Sequence, residues 1–222
     1  MQTKKNKSVL NGIGLMIIAT MLFSIMHATI KHMSSSMHPF EIAFFRNLFG
    51  LIVIAPWFIK YGLEPLKTKK IKLHMARSFF YVIAMLSFFY SLSITPLADV
   101  ASLAFTAPLF ASILAVFFLK EIIGIKRIIA IILGFIGAII VIDPVYSSIN
   151  NGHIFTLLSA SVWSVSLIII KILGRTESSV TITSYMVIIM IPLSGIAALF
   201  YWQTPTINDL LFLMIIGISG TA

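Results

Sequence analysis

Seven long apolar stretches constrain this chain more than any other feature of its sequence. They lie near residues 10–31, 40–59, 73–94, 98–119, 127–143, 153–173 and 180–201, and an eighth begins near Asp209. The hydrocarbon core of a bilayer is about 30 Å thick and needs about 20 apolar residues in a helix. Stretches of this length, without strict alternation of apolar and polar residues, predict helices and not barrel strands. The predicted fold is therefore an all-α, polytopic membrane helix bundle.

The composition agrees with that prediction and excludes several other classes of protein. Hydrophobic residues make up 59% of the chain and charged residues 10%, whereas a soluble domain is about 45–50% apolar and about 25% charged. A soluble globular domain, a disordered chain and a nucleic-acid-binding protein are thereby excluded. The chain has no cysteine, so a disulfide, a thiolate metal site and a cysteine nucleophile are excluded as well.

The positively charged residues predict how the chain is oriented in the membrane. If successive spans alternate in direction, most of the cations fall on one side, namely Lys4, Lys5, Lys7, Lys60, Lys67, Lys69, Lys70, Lys72, Arg77, Lys120, Lys126, Arg127, Lys171 and Arg175. The opposite connections, 33–39, 95–97, 144–152 and 202–208, contain none. The positive-inside rule predicts a cytoplasmic N-terminus and an uncleaved first span. The short connections and the excess of Lys over Arg favour a bacterial inner membrane.

Two segments that lie 140 residues apart resemble each other without a gap. Asn11-Gly12, Ser24 and Ile30-Lys31 recur as Asn151-Gly152, Ser164 and Ile170-Lys171. The second copy starts five spans after the first, and because five is odd it enters the membrane from the other side. This pattern is the inverted repeat of many secondary transporters. We predict a first five-span repeat over residues 1–144 and a second, incomplete repeat over residues 145–222.

The length of the repeat carries an expectation about the whole protein. A complete second repeat would end at about residue 280–290 by extension of the first. We therefore expect this chain to hold seven to eight spans of a ten-span protein. A free terminus inside hydrocarbon would leave helix carbonyls unsatisfied. The alternative is a complete chain whose last span is short or re-entrant.

A set of residues in a particular order adds a family resemblance over nearly the whole chain. The set is Lys31, Pro39, Arg46, Thr95-Pro96-Leu97-Ala98, Ala107-Pro108, Phe118-Leu119-Lys120-Glu121 and Gly134-Phe135-Ile136-Gly137. In this order and spacing the sequence resembles the drug/metabolite transporter superfamily, EamA type. The resemblance implies ten helices in two inverted units and a central cavity that moves small metabolites. One departure is that span seven has no Arg to match Arg46.

Arg46 is the sharpest candidate for a role in transport. It lies about 9 Å inside span two at 1.5 Å per residue, where a buried arginine is costly and usually faces a cavity or a partner. It either meets a substrate carboxylate or a gate, or else it snorkels to the headgroups or pairs with Glu41 or Asp99. Asn47 beside it either binds a ligand or makes a helix–helix contact.

Span one carries a polar stripe on an otherwise apolar helix. Thr20, Ser24, His27 and Lys31 follow one another at spacings of four, three and four residues. Such a stripe should face protein or water and not lipid. His27 is identified as a candidate proton-binding group well inside a span, and Ser24 and Lys31 as candidate substrate or gating residues. The alternative for His27 is a structural contact with another helix.

Further candidates are aromatic or bend a helix. Tyr81 and Tyr90 of span three could stack on a planar substrate, although packing and lipid contact are alternatives. Trp163 of span six either lines the cavity or joins a close helix contact with its serine neighbours. Pro108 predicts a kink in span four that could assist gating.

The leading functional hypothesis is a secondary transporter that moves a small metabolite by alternating access. The metabolite would be amino-acid-like, vitamin-like or S-adenosylmethionine-like. The alternatives are a membrane-embedded enzyme and a non-transporting scaffold or sensor. The histidines lack metal-site spacing and no phosphate-binding glycine loop occurs, so we predict no catalytic residue, no metal and no cofactor. The predicted partners are a small-molecule substrate and membrane lipid, with no nucleic acid, and the acidic residues Glu41, Asp99, Asp143 and Asp209 are all placed at outer ends.

Overall fold

A computed structural model describes residues 2–142 and 150–221 of the protein, with side chains from residue 12 onward. Its helices are α1 (Gln2–Met33), α2 (Pro39–Tyr61), α3 (Ile71–Ile94), α4 (Leu97–Ala104), α5 (Ala107–Leu119), α6 (Ile125–Ile142), α7 (Asn151–Leu173), α8 (Ser179–Leu199) and α9 (Ile207–Ser219), with a short 3-10 helix at Glu64–Leu66. Seven segments are long and apolar enough to cross a membrane, α4 and α5 together forming one of them. With no strand in either described range, the predicted all-α polytopic bundle is confirmed.

Some of the sequence predictions fall outside these residues. Asp143 and the expected repeat boundary at residues 144 and 145 lie in the undescribed range, as do the side chains of Asn11 and of the three lysines near the N-terminus.

Polar capping residues determine where two of the helices begin. Asn150 Oδ1 accepts a hydrogen bond from the backbone N–H of His153, and His153 Nδ1 accepts one from the backbone N–H of Asn150, each at 3.2 Å. Thr206 and Asp209 form the same reciprocal arrangement before α9. These capping boxes satisfy N–H groups that a helix leaves without internal partners. As a result α7 and α9 both begin at a sharply defined polar boundary.

Span four consists of two helices, α4 and α5, that meet at a tight turn just before Pro108, and the kink at Pro108 stays a prediction. Phe105 and Thr106 keep right-handed helical dihedral angles, but their N–H groups bond to carbonyls three residues back, and α5 begins with Pro108 in its first turn. Proline lacks an N–H, and the first turn of a helix needs none there, so proline is tolerated at a helix start. The Leu103 carbonyl accepts from the Thr106 N–H at 3.0 Å and from the Thr106 hydroxyl at 2.7 Å, and these two bonds hold the turn.

The contact between α3 and α7 is close and is lined by small polar side chains. Ser91 Oγ donates to the Gly152 carbonyl and Ser159 Oγ to the Ala84 carbonyl, both at 2.7 Å. In a bilayer, where apolar burial between helices is not favoured over lipid, close approach and hydrogen bonds of this kind hold helices together. This interface therefore anchors α7 to the centre of the bundle.

An apolar core joins α1, α2, α3, α8 and α9. Its members include Ile30, Ile42, Met85, Met190 and Leu213. α6 lies outside this core, packs on α4 and α5, and exposes most of its side chains. Four of the core helices, α2, α3, α8 and α9, surround the candidate site.

The contacts between helices follow a two-fold exchange. α1 packs on α9 as α7 packs on α3, and α2 packs on α9 as α8 packs on α3. If α1, α2 and α3 correspond to α7, α8 and α9, each contact maps onto its counterpart, and the α2–α8 contact maps onto itself. This is the pattern that an inverted repeat should produce.

Candidate functional site

The side chain of Arg46 lies buried where four of the core helices meet. It is seven residues after the first residue of α2, about 10 Å along the helix, and it is 2% exposed. Its Nη1 donates to Asn47 Oδ1 at 2.9 Å, and its Nη2 donates to the Gly220 carbonyl at 2.5 Å. Arg46 therefore joins α2 to the far end of α9, and it does not snorkel to the surface.

The Arg46 guanidinium has no carboxylate counterion in the described parts of the chain. No acidic oxygen lies within 4.0 Å of it there, and its buried Nε has no hydrogen-bond partner. Glu41 accepts from the Gln203 backbone N–H at 3.2 Å, and Asp99 lies 3.6 Å from His153. Because an uncompensated buried charge costs several kcal/mol, Arg46 is the leading candidate for the centre of a functional site.

Five residues complete, with Arg46, what we call the central site: Asn47, Tyr81, Met85, Ser194 and Gly220. Asn47 is fully buried and its Nδ2 donates to Ser194 Oγ of α8 at 3.0 Å. The carbon of the guanidinium lies 6.0 Å from the centre of the Tyr81 ring, and Met85 Sδ lies 3.9 Å from both Arg46 Nη1 and Asn47 Nδ2. The structure thus brings together three of the residues proposed from sequence.

The polar stripe of α1 has separate structural partners. Ser24 Oγ donates to the Thr20 carbonyl of its own helix at 2.9 Å and is exposed. The His27 ring packs against Phe88 of α3 with ring centres 5.0 Å apart, and Lys31 Nζ donates to the Thr95 carbonyl at 2.9 Å. Within the described ranges, none of the three candidates hydrogen-bonds to the central site. Lys31 satisfies carbonyls at the end of α3, where a cation is favourable.

Tyr90 and Trp163 also have surroundings of their own. Tyr90 packs edge to face on Phe155 of α7 with ring centres 4.9 Å apart, while Trp163 is 37% exposed. Among the residues that the structure describes, neither makes a hydrogen bond or ring contact with the central site. Their transport roles stay predictions, and packing between α3 and α7 accounts for the position of Tyr90.

Arg77 is a functional candidate that the sequence interpretation placed wrongly. It was counted with the cations of the connection between spans two and three, but it lies inside α3 and is 5% exposed. Its Nη1 donates to the Ile182 carbonyl at 3.1 Å, and its Nη2 lies 3.3 Å from Met186 Sδ. Charge counting assigns any cation near a span end to the connection. The spacing of Arg77 and Tyr81 on one helical face was the signal that could have placed it.

His74 is a second buried polar residue that was not identified from the sequence. Only His27 was identified there as a histidine well inside a span. The His74 ring is fully buried and stacks on the Tyr185 ring with centres 4.5 Å apart. His74 Nε2 lies 3.9 Å from Glu177 Oε2, and the Tyr185 hydroxyl donates to the Leu66 carbonyl at 2.6 Å. The start of α3 is therefore tied to α8 and to the turn that precedes it.

Two polar contacts join helices at opposite ends of the bundle, outside the spans. At one end Glu121 accepts a hydrogen bond from Lys171, and this bond and the nearby cations Lys171 and Arg127 lower the pKa of the Glu121 carboxyl. At the other end the His38 ring stacks on Tyr201 with centres 3.7 Å apart, and burial lowers the pKa of His38. Glu121 is thus held as the charged form and His38 as the neutral form.

Comparison with known proteins adds a family and several named relatives. The EamA-like transporter family matches residues 10–143. A protein of Rickettsia bellii (strain RML369-C) named S-adenosylmethionine uptake transporter is 35% identical over 95% of this chain and 72% of its own length. The protein of that name in Rickettsia prowazekii (strain Madrid E) is 33% identical over 97% and 73%. A riboflavin transporter of Vibrio cholerae serotype O1 (strain ATCC 39315 / El Tor Inaba N16961) is 27% identical over 94% and 71%.

Proposed function

The chain belongs to the EamA-like transporter family, and from that premise we propose that it carries a zwitterionic metabolite of the S-adenosylmethionine type by alternating access. It is a multi-pass membrane transporter of a small molecule, within the drug/metabolite transporter superfamily. The names of the relatives at 33–35% identity support this substrate class. Riboflavin, named for a relative at 27% identity, is the comparison substrate.

The observation that carries the proposal is the buried guanidinium of Arg46, which lacks a carboxylate partner in the described structure. S-adenosylmethionine has a carboxylate, an ammonium and a sulfonium group, whereas riboflavin has no carboxylate. A carboxylate matches the planar donors of arginine in a paired geometry. The ring of Tyr81 offers an aromatic face to a cationic group. The central site therefore favours the zwitterion over riboflavin.

Alternating access is supported by the exchange of contacts between helices. The central site draws Arg46 and Tyr81 from the first proposed unit, residues 1–144, and Ser194 and Gly220 from the second, residues 145–222. In inverted repeats the substrate site lies between the units, and rocking of one against the other opens it to either side. A ligand held by both units would be released when they separate.

We also propose that the N-terminus is cytoplasmic, and the absence of native cysteine makes this directly testable. Gln203→Cys and Lys69→Cys introduce single thiols at exposed positions that the proposed topology places on opposite sides. A membrane-impermeant maleimide added to intact cells should label Gln203→Cys. It should label Lys69→Cys only after the cells are permeabilised. The reverse pattern would contradict the orientation, and the cysteine-free parent is the blank.

The substrate is tested with the full chain in liposomes and radiolabelled S-adenosylmethionine. We expect saturable uptake of the intact compound that unlabelled S-adenosylmethionine competes away and riboflavin does not. Arg127→Met is the control variant because Arg127 is half exposed and lies 3.8 Å from Glu121. Uptake no greater than in protein-free liposomes, or uptake of riboflavin instead, would sink this substrate assignment. Recovery of a chemically altered compound would favour the membrane-embedded enzyme.

A further inference from the structure

The repeat has the same register beyond its first helix. α1 ends at Met33 and α7 at Leu173, while α2 begins at Pro39 and α8 at Ser179, each pair 140 residues apart. The turns between them share their hydrogen bonds: the Met37 N–H donates to the Met33 carbonyl at 2.9 Å, and the Glu177 N–H donates to the Leu173 carbonyl at 2.8 Å. Positions in α2 and α8 can therefore be compared one by one.

This register gives Arg46 a counterpart that is not an arginine. The residue 140 positions later is Met186, and the guanidinium that reaches it comes from Arg77 of α3. Arg77 lies at the α3–α8 interface, which is the counterpart of the α2–α9 interface where Arg46 meets Gly220. Span seven has no arginine at the position that corresponds to Arg46, and the guanidinium next to that position comes from a neighbouring helix.

The two arginines lie at similar depths from opposite ends of the bundle. Arg46 is seven residues after the start of α2, and Arg77 is six residues after the start of α3, so each is about 9–10 Å along its helix. Successive spans begin on opposite sides. Tyr81 lies one turn beyond Arg77 on α3 and 6.0 Å from the Arg46 guanidinium, which places its ring between them.

Arg77 shares the electrostatic situation of Arg46. In the described ranges no carboxylate oxygen lies within 4.0 Å of it, and its buried Nε has no hydrogen-bond partner. The carbonyl and the sulfur beside it do not neutralise its charge. An arginine needed merely for packing would be expected to carry a counterion at such a position.

We propose that Arg77 is a second binding site for the substrate carboxylate, used when the transporter is open to the side where α3 begins. Arg46 receives the carboxylate from the side where α2 begins, and Tyr81 separates the two positions. The ligand class is a small carboxylate-bearing metabolite. This inference rests on the proposed function and deepens it, because it assigns the second half of the path.

The test compares S-adenosylmethionine with its decarboxylated analogue in liposomes that contain the full chain. Arg77→Met should lower kcat/KM for S-adenosylmethionine by about 10- to 100-fold, the usual range for a lost charge-assisted contact. It should leave the slower transport of the analogue unchanged. Arg77→Lys keeps the charge without the planar donors, so its kcat/KM for S-adenosylmethionine should lie between those of the wild type and Arg77→Met. Arg175→Met, at an exposed arginine near the same end, should match the wild type.

Thermal unfolding separates ligand binding from a structural role. Because methionine replaces an uncompensated buried charge, the melting temperature of Arg77→Met should stay level or rise. If Arg77→Met has a lower melting temperature and transports S-adenosylmethionine and the analogue less well by the same factor, the proposal is overturned and Arg77 is a structural arginine. Equal transport of both compounds by the wild type would overturn carboxylate binding while leaving a transporter. No transport of S-adenosylmethionine by the wild type would overturn the proposed function and Arg77 with it.

Discussion

Arg46→Met is expected to lower kcat/KM for S-adenosylmethionine uptake by about 100-fold, which corresponds to about 2.7 kcal/mol of lost transition-state stabilisation. Hydrogen bonds to charged groups contribute about 1.5–3 kcal/mol each, and a carboxylate can accept two of them from one guanidinium. Methionine retains much of the apolar volume of the side chain, so the bundle should still fold. Initial rates of uptake into liposomes, with the amount of folded protein measured by size-exclusion chromatography, provide the test.

Three comparisons make the Arg46 result specific. Arg127→Met removes an arginine that is half exposed and should transport like the wild type. Arg46→Lys should retain part of the activity, because lysine keeps the positive charge. It should not reach the wild-type rate, because lysine cannot present paired planar donors. Transport of the decarboxylated analogue should be affected much less than that of S-adenosylmethionine. A variant Arg46→Met that folds and transports within threefold of the wild type would contradict the central site.

Gly152→Ala is expected to destabilise the protein by about 2–3 kcal/mol, as overpacking of a tight contact does. A Cβ at Gly152 would lie 1.7 Å from Thr95 Oγ1 and 2.8 Å from Thr95 Cβ, so the backbones of α3 and α7 must move apart. Thr95 Oγ1 also donates to Asn150 Oδ1 at 2.9 Å, and the cap of α7 would be disturbed with it. The melting temperature in detergent should fall by about 5–10 °C.

The repeat supplies a matched control for this substitution. Gly12 of α1 lies 140 residues before Gly152 of α7, yet a Cβ at Gly12 meets nothing within 4 Å. Gly12→Ala should therefore leave the melting temperature unchanged or raise it slightly, because alanine favours helix more than glycine. The double variant Gly152→Ala with Thr95→Ala should recover part of the loss. Equal melting temperatures for Gly12→Ala and Gly152→Ala would refute the close contact.

The central site shows how far residue chemistry alone could be followed. Arg46 was identified because a cation inside an apolar span is costly, and that argument needs no knowledge of its neighbours. Which helices meet decides its bond to the Gly220 carbonyl, its position over Tyr81 and, within the described residues, its lack of a carboxylate partner. Lys31 shows the opposite case, since its place in the polar stripe of span one made it a candidate, and its bond to the Thr95 carbonyl supplies a structural reason for it.

Arg77 and Pro108 show what local sequence patterns leave open: the burial of one side chain and the form of one helix interruption. Charge counting treated Arg77 as part of a connection, because nothing in a hydropathy profile tells a solvated cation from one buried against α8. Pro108 predicts a disturbance of span four, but its form depends on the turn before it, where the Leu103 carbonyl accepts from both the N–H and the hydroxyl of Thr106. The burial of Arg77 depends on a contact with a residue distant in the chain, and the interruption near Pro108 depends on the geometry of a single turn.

The sequence by itself determined the seven apolar spans and their helical nature, and it predicts the alternation of charge and the 140-residue repeat. These follow from the thickness of the bilayer, the need to satisfy backbone polar groups and the spacing of identical residues. Only the tertiary structure decided which polar residues meet: Arg46 with Asn47 and Gly220, and Arg77 with the counterpart of Arg46 on α8. The physical reason is that helix–helix packing in a membrane depends on close fit and hydrogen bonds across helices, which no single segment encodes.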